Sequence, residues 1–268
     1  MTEKTITIIS NRKHVEISIS KILYIIMNKR NIEVHINSGE KYSARVPLGE
    51  LEKELGDGFI RVSRSCLIAA KAIHDIQKKI ELVNGERLSF PPRSKRKIIE
   101  QLSSKRKEII SGFITKGVPK TLEEFHRHYR TFDFIPFAFT DIEMVFNDDC
   151  HAADWIFRYG NEALAKIEGV PLKKMIGKTF GSIFPDMDSK WLRIYERAAL
   201  YGETLEIIDY SPEIDKYLKI ICFPTFKGHC GCILFDISEI KYTQTGLDSE
   251  KALMMYFGIE PSENDSTE

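Results

Sequence analysis

Gly58-Phe-Ile-Arg-Val-Ser-Arg-Ser-Cys-Leu-Ile-Ala-Ala-Lys-Ala-Ile73 reads as two apolar runs joined by a short polar knot. Phe59, Ile60 and Val62 enter the knot, and Cys66 through Ala70 leave it. Arg61, Ser63, Arg64 and Ser65 form the knot itself. Two guanidinium groups and two hydroxyls on one exposed corner suit phosphate oxygens and guanine edges. The same residues also suit a solvated turn between two core strands, so the flanking sequence has to decide.

Upstream, Thr5-Ile-Thr-Ile-Ile9, Val15-Glu-Ile-Ser-Ile19 and Ile32-Glu-Val-His-Ile36 alternate apolar and polar residues at period two, as half-buried strands do. Asn37-Ser-Gly-Glu40 and Asn84-Gly85 carry turn chemistry, because Asn and Gly accept positive φ readily. Pro47 to Leu55 predicts a helix closed by Gly56 and Gly58. A second, strongly basic helix is predicted from Arg93 to about Ile110, with a broken apolar stripe of Ile98, Ile99, Leu102, Ile109 and Ile110.

Beyond Gly112 the pattern changes. Thr121 with Glu124 three residues on predicts a capped short helix, on which His126 and His128 diverge and do not share a metal ion. Phe137 to Phe146 and Trp155 to Tyr159 read as strands, Asn161 to Gly169 as a short helix, and Trp191 to Tyr201 as a longer amphipathic helix. Thr204–Tyr210, Lys216–Pro224 and His229–Asp236 then read as three strands. A strand pair, small helices, a longer helix and a three-stranded meander make an α+β module on an antiparallel sheet. The expected organisation is multidomain: a mostly-β domain over 1–105, a helical linker over 106–135, the α+β domain over 136–242 and a tail over 243–268.

The chain has 268 residues, 43% of them hydrophobic and 29% charged, with 39 Lys and Arg against 39 Asp and Glu. That balance conceals an asymmetry. Residues 1–115 hold 22 Lys and Arg against 13 Asp and Glu, a net +9, and the remaining 17 against 26 give −9 beyond. A basic half points to a polyanionic partner. No apolar run approaches the roughly 18 residues that span a bilayer, and the N-terminus lacks a secretory apolar core; no membrane partner and a cytoplasmic location are expected. The five cysteines are expected to be reduced and structural, since Cys230-Gly-Cys232 has no second pair at zinc spacing. No metal site, resident cofactor or enzymatic activity is legible: there is no Walker loop, Gly-x-Ser-x-Gly elbow or His-Glu-x-x-His pair.

Ile22-Leu-Tyr-Ile-Ile26, the Leu48–Leu55 helix, Phe59-Ile-Arg-Val-Ser-Arg-Ser65, Ile73 and the hairpin through Gly85 leading to Arg93 resemble the LytTR DNA-binding domain of bacterial response regulators. The resemblance implies an all-β fold that places loops in successive major grooves of double-stranded DNA. It carries three contact positions onto this chain. The first is Asn31, with Lys29 and Arg30 beside it. The second is Arg64, with Ser63 adjacent. The third is Arg93, followed by Lys95 and Arg96. The chain departs from the family pattern at Ser63, Ala69 and Pro92, where many members carry His, Asn and Ser.

Trp155–Tyr159, Asn161-Glu-Ala163, Gly169, Ile176-Gly-Lys178, Trp191–Gly202 and Phe235-Asp-Ile-Ser-Glu-Ile240 together resemble a PAS domain. That implies a sensor or dimerisation module with a reversibly bound small molecule. The flavin-attachment motif of light sensors is absent, and the lone histidines His151 and His229 suit surface or hydrogen-bonded positions better than haem ligation. The two resemblances imply a bacterial transcription regulator acting as a homodimer. The alternative is a protein-interaction adaptor whose first domain no longer reads bases.

Overall fold

The computed structural model describes residues 4–113, 117–185 and 189–239. The tail expected over 243–268 lies outside them. The chain divides into two compact units: residues 1–116 with Phe146–Ala153, and residues 117–145 with 154–268.

In the first unit, β1 (Thr5–Ser10) and β2 (Lys13–Ser18) form an antiparallel hairpin. β3 (Ile22–Asn28), β4 (Asn31–Ile36), β5 (Lys41–Ala44), β6 (Phe59–Ser63) and β7 (Cys66–Ala69) make a five-stranded sheet in the order β5-β4-β3-β7-β6, with α1 (Leu48–Leu55) between β5 and β6 in sequence. β8 (Ile73–Ile76), β9 (Ile80–Leu82) and β10 (Arg87–Leu88) make a second sheet in the order β10-β9-β8. Ile25, Ile32, Val34, Leu67 and Ile68 are fully enclosed, and Leu48, Leu51 and Leu55 of α1 join the same core. Burying each such side chain contributes about 1.5–3 kcal/mol.

The basic helix α2 runs Lys95–Ser111, two residues later than the sequence predicts, because Pro92–Ser94 forms a 3₁₀ turn ahead of it. Ile98 and Leu102 reach the core, whereas Ile99 is 43% exposed, so the apolar stripe is narrower than its sequence suggests.

The second unit opens with α3 (Leu122–Tyr129). The Thr121 hydroxyl accepts from the Glu124 amide at 3.2 Å, and the Glu124 carboxylate accepts from the Thr121 amide at 3.2 Å, the capping box expected from sequence. His126 lies 3.3 Å from Asp133 while His128 rests against Tyr129 and Phe226, so the two rings diverge. Then follow β11 (Ala138–Phe146), β12 (Ala152–Gly160), the short helices α4 (Glu162–Glu168), α5 (Leu172–Met175) and α6 (Phe180–Ile183), the longer α7 (Ser189–Tyr201), and β13 (Leu205–Ser211), β14 (Lys216–Pro224) and β15 (His229–Asp236). The sheet order is β12-β11-β15-β14-β13, with β13–β14, β14–β15 and β11–β15 antiparallel. Expected and observed element order agree.

Asn161 anchors one corner of this unit. Its side chain accepts from the amides of Phe139 (3.1 Å) and Leu164 (3.0 Å) and donates to the carbonyls of Phe132 (3.0 Å) and Phe137 (2.9 Å). It caps α4 and ties it to β11 at once. Alternation along the strands gives the sheet two dissimilar faces. One carries Thr140, Ile142, Leu218, Ile220, Cys232 and Leu234 toward Trp155, Trp191 and Tyr195. The other carries Phe139, Phe223 and Ile233 against Phe125 and Tyr129 of α3. Among the described residues, no helix is long and apolar enough to cross a membrane.

Candidate nucleic-acid interface and cavity

Strand register decides which basic residues of the first unit meet. Ile26 of β3 pairs with Cys66 of β7, and the Met27 amide donates to the Ser65 carbonyl at 2.7 Å. The β3–β4 turn and the β6–β7 turn therefore stand side by side at one end of the sheet. The first turn carries Lys29, at φ 56°, and Arg30, with Asn31 opening β4 opposite Asn28. Lys29, Arg30 and Asn31 are all exposed, and so is Arg64 in the second turn. Two of the three predicted contact groups thus lie together.

The β6–β7 turn is held from within. A register shift between Arg61 and Ser63 places a bulge at Val62, which re-aims the strand as it reaches the turn. The Arg61 guanidinium pairs with Glu52 of α1 and donates to the Arg64 carbonyl at 2.9 Å. The Ser63 hydroxyl accepts from the Ser65 amide at 3.2 Å, closing a serine turn. The polar knot is therefore half scaffold. Arg61 and Ser63 shape the turn, and Arg64 projects from it.

One further cation belongs to this end and was missed in the sequence. Ile32 pairs with Ala44, so the register continues Arg45 opposite Asn31, and Arg45 is exposed. Only the antiparallel pairing of β4 with β5 makes it visible. Arg93, Lys95 and Arg96 are also exposed, but they are carried by the 3₁₀ turn and the start of α2, not by the sheet register. Arg96 pairs with Glu100 one helical turn on, at 2.8 Å. Lys105 of α2 donates to the Asp57 carbonyl, which fixes the helix beside the base of β6. Ala69 is buried in β7 opposite Phe59, and Pro92 opens the 3₁₀ turn.

In the second unit the helix-side face of the sheet borders a partly open cavity of about 30 Å³, lined by aromatic and aliphatic side chains with Thr140, Glu168, Tyr195, Ser211 and Cys232 as polar groups. Burial, and then the nearby Glu213 carboxylate, push Glu168 up to about 7. Burial, reinforced by the neighbouring thiols, holds the Tyr195 hydroxyl protonated far above its ordinary range.

Beside this cavity three thiols converge. Cys222 of β14 pairs directly with Cys232 of β15, and Cys230 and Cys232 stand 3.6 Å apart at sulfur. All three sulfurs lie within 4.8 Å of one another, and all three residues are buried. Hydrogen bonds from Cys230 and Cys232 lower the Cys222 thiol, while burial raises the other two. Sequence spacing shows only the Cys230–Cys232 pair; the third sulfur arrives through strand register.

On the opposite face Asp141 is fully buried and accepts from Tyr129 (2.8 Å) and Thr225 (2.5 Å), with His229 Nδ1 at 2.7 Å. His229 is thus engaged by a carboxylate at one ring nitrogen.

Among solved structures, the chain is similar to the LytTr DNA-binding domain of a Bacillus cereus protein at 21% identity, covering 38% of this chain and 97% of that one, TM-score 0.33. It is similar to an RNA-binding light-oxygen-voltage receptor at 14% identity, covering 60% of this chain and 48% of that one, TM-score 0.33. It is similar to a Rhodobacter sphaeroides LOV protein at 14% identity, covering 53% and 86%, TM-score 0.31. No curated protein matches the chain. Residues 12–103, that is 92 of the 268, match the family model of the LytTr DNA-binding domain, and the first unit carries that match.

Proposed function

We propose that the protein is a DNA-binding transcription regulator. Its first unit docks double-stranded DNA with the turns at one end of the β5-β4-β3-β7-β6 sheet. Its second unit senses a small ligand and holds two chains together. The observation that supports this most is the side-by-side placement of the Lys29–Asn31 and Ser63–Ser65 turns, with Arg64 and Arg45 exposed. In this reading Arg64 and Asn31 read base edges, since Arg pairs bidentately with guanine and Asn with adenine. Lys29, Arg30, Arg45, Arg93, Lys95 and Arg96 neutralise phosphates and fix register on the duplex.

Selection from random duplexes by the full chain, followed by gel shifts at two salt concentrations, tests the reading. Sequence-selective binding that weakens with salt at a slope of about −0.9 per phosphate contact is expected. Absence of binding to any selected duplex at low salt would overturn it. A homodimer would bring two such units to paired sites and gain avidity. Light scattering that shows a monomer with and without DNA would remove that part.

A second reading draws on Ser63, whose hydroxyl is taken up inside its own turn. With that group withdrawn from base contact, the first unit could serve as a protein-binding adaptor. Salt-insensitive capture of a protein partner, with no duplex binding, distinguishes it.

A further inference from the structure

We infer that Cys222, Cys230 and Cys232 form a binding site for a single thiophilic closed-shell cation, with zinc(II) as the occupant best matched to its surroundings. The inference concerns the second unit alone and stands independently of DNA binding.

Three sulfur ligands are already gathered. Around a tetrahedral zinc at about 2.3 Å from each sulfur, neighbouring sulfurs stand about 3.8 Å apart. Cys230 and Cys232 are at 3.6 Å, and all three sulfurs fall within 4.8 Å. Side-chain adjustments of about 1 Å or less would complete the set. The frame that holds them is stiff: Cys222 and Cys232 are register partners on adjacent antiparallel strands, and Cys230 is two residues along from Cys232 on the same face. Thiolates select zinc and copper(I) over the hard cations that carboxylates prefer.

The rest of the environment also discriminates. Three thiols give up three protons to bulk water on binding zinc, with no change in oxidation state. The complex then carries one net negative charge, against two for copper(I). Uncompensated buried charge is costly, so the burial of all three residues favours the divalent ion. Cys232 also lines the cavity of about 30 Å³. That volume accommodates about two water molecules. A fourth ligand position would therefore open onto a pre-formed space, as in zinc sites that exchange a ligand, and unlike closed structural sites. Cys66 and Cys150 are buried outside the cluster and serve as internal controls.

The test uses the full chain, stripped of metal and kept reduced with a phosphine. It is titrated separately with zinc(II) and copper(I), and with cobalt(II) as a spectroscopic probe. One zinc per chain is expected, together with a sulfur-to-cobalt charge-transfer band and tetrahedral ligand-field absorption. The Cys66→Ala/Cys150→Ala variant should retain both signals. Cys222→Ala should lose at least tenfold in affinity. Because Cys222 is a core residue, X-ray absorption on the zinc-loaded unmodified chain gives a readout that needs no variant, and a first shell dominated by sulfur is expected. Stoichiometric binding of copper(I) alone would overturn zinc as the occupant. A nitrogen–oxygen first shell, binding unchanged in a folded Cys222→Ala, or no stoichiometric binding of either ion would overturn the site.

Discussion

Arg61 and Arg64 are three residues apart in one turn and have opposite surroundings. Arg61 reaches back to Glu52 and inward to the Arg64 carbonyl, whereas Arg64 is exposed. Arg64→Ala is expected to leave stability within about 0.5 kcal/mol and to weaken specific DNA binding by roughly 1–3 kcal/mol. Arg61→Ala is expected to weaken binding too, through a loosened turn, with a stability loss of no more than about 1 kcal/mol because the pair with Glu52 is part-exposed. Urea melts run beside gel shifts separate the two effects. Arg45→Ala should reduce the salt slope by about one phosphate contact, with little change in sequence preference. The sequence of the knot shows four polar residues of equal standing. What ranks them is a carboxylate on α1 and a serine turn, and neither is legible in local pattern.

At the level of elements, period-two alternation located β1, β2 and β4, because each sets apolar residues on one face and polar ones on the other. It gave no view of which strands are neighbours, so Arg45 and the third thiol became visible only with register. Two elements of the second unit carry measurable consequences. Glu168 ends α4 against the cavity, and burial pushes its carboxyl up to about 7, above the 4.5 of an ordinary glutamate. The folded state therefore holds the proton more tightly. This contribution is fully present below about pH 4.5 and is lost as pH rises through about 7. Glu168→Gln is expected to flatten that decline and to raise stability at neutral pH, as read by thermal melts across the interval. On β11, Asp141 accepts from two hydroxyls and pairs with His229 while fully buried. Asp141→Ala leaves the Tyr129 and Thr225 hydroxyls without their acceptor and is expected to destabilise the chain in denaturant unfolding by about 1–3 kcal/mol for each buried group left unsatisfied.

Over the whole molecule, a net +9 in residues 1–115 is offset by −9 in the remainder. A formal charge of zero thus describes neither part, and binding to a polyanion should track the first unit's charge, screened over about 8–10 Å at ordinary salt. The cavity wall has a separate consequence. Its two tryptophans, Trp155 and Trp191, are the only ones in the chain, and both are buried in the second unit. Indole emission excited at its red edge therefore reports the second unit by itself, while far-ultraviolet circular dichroism sums over both. Superimposed melting curves from the two signals would mean that the units unfold as one. Separated curves would give each unit its own midpoint without cutting the chain.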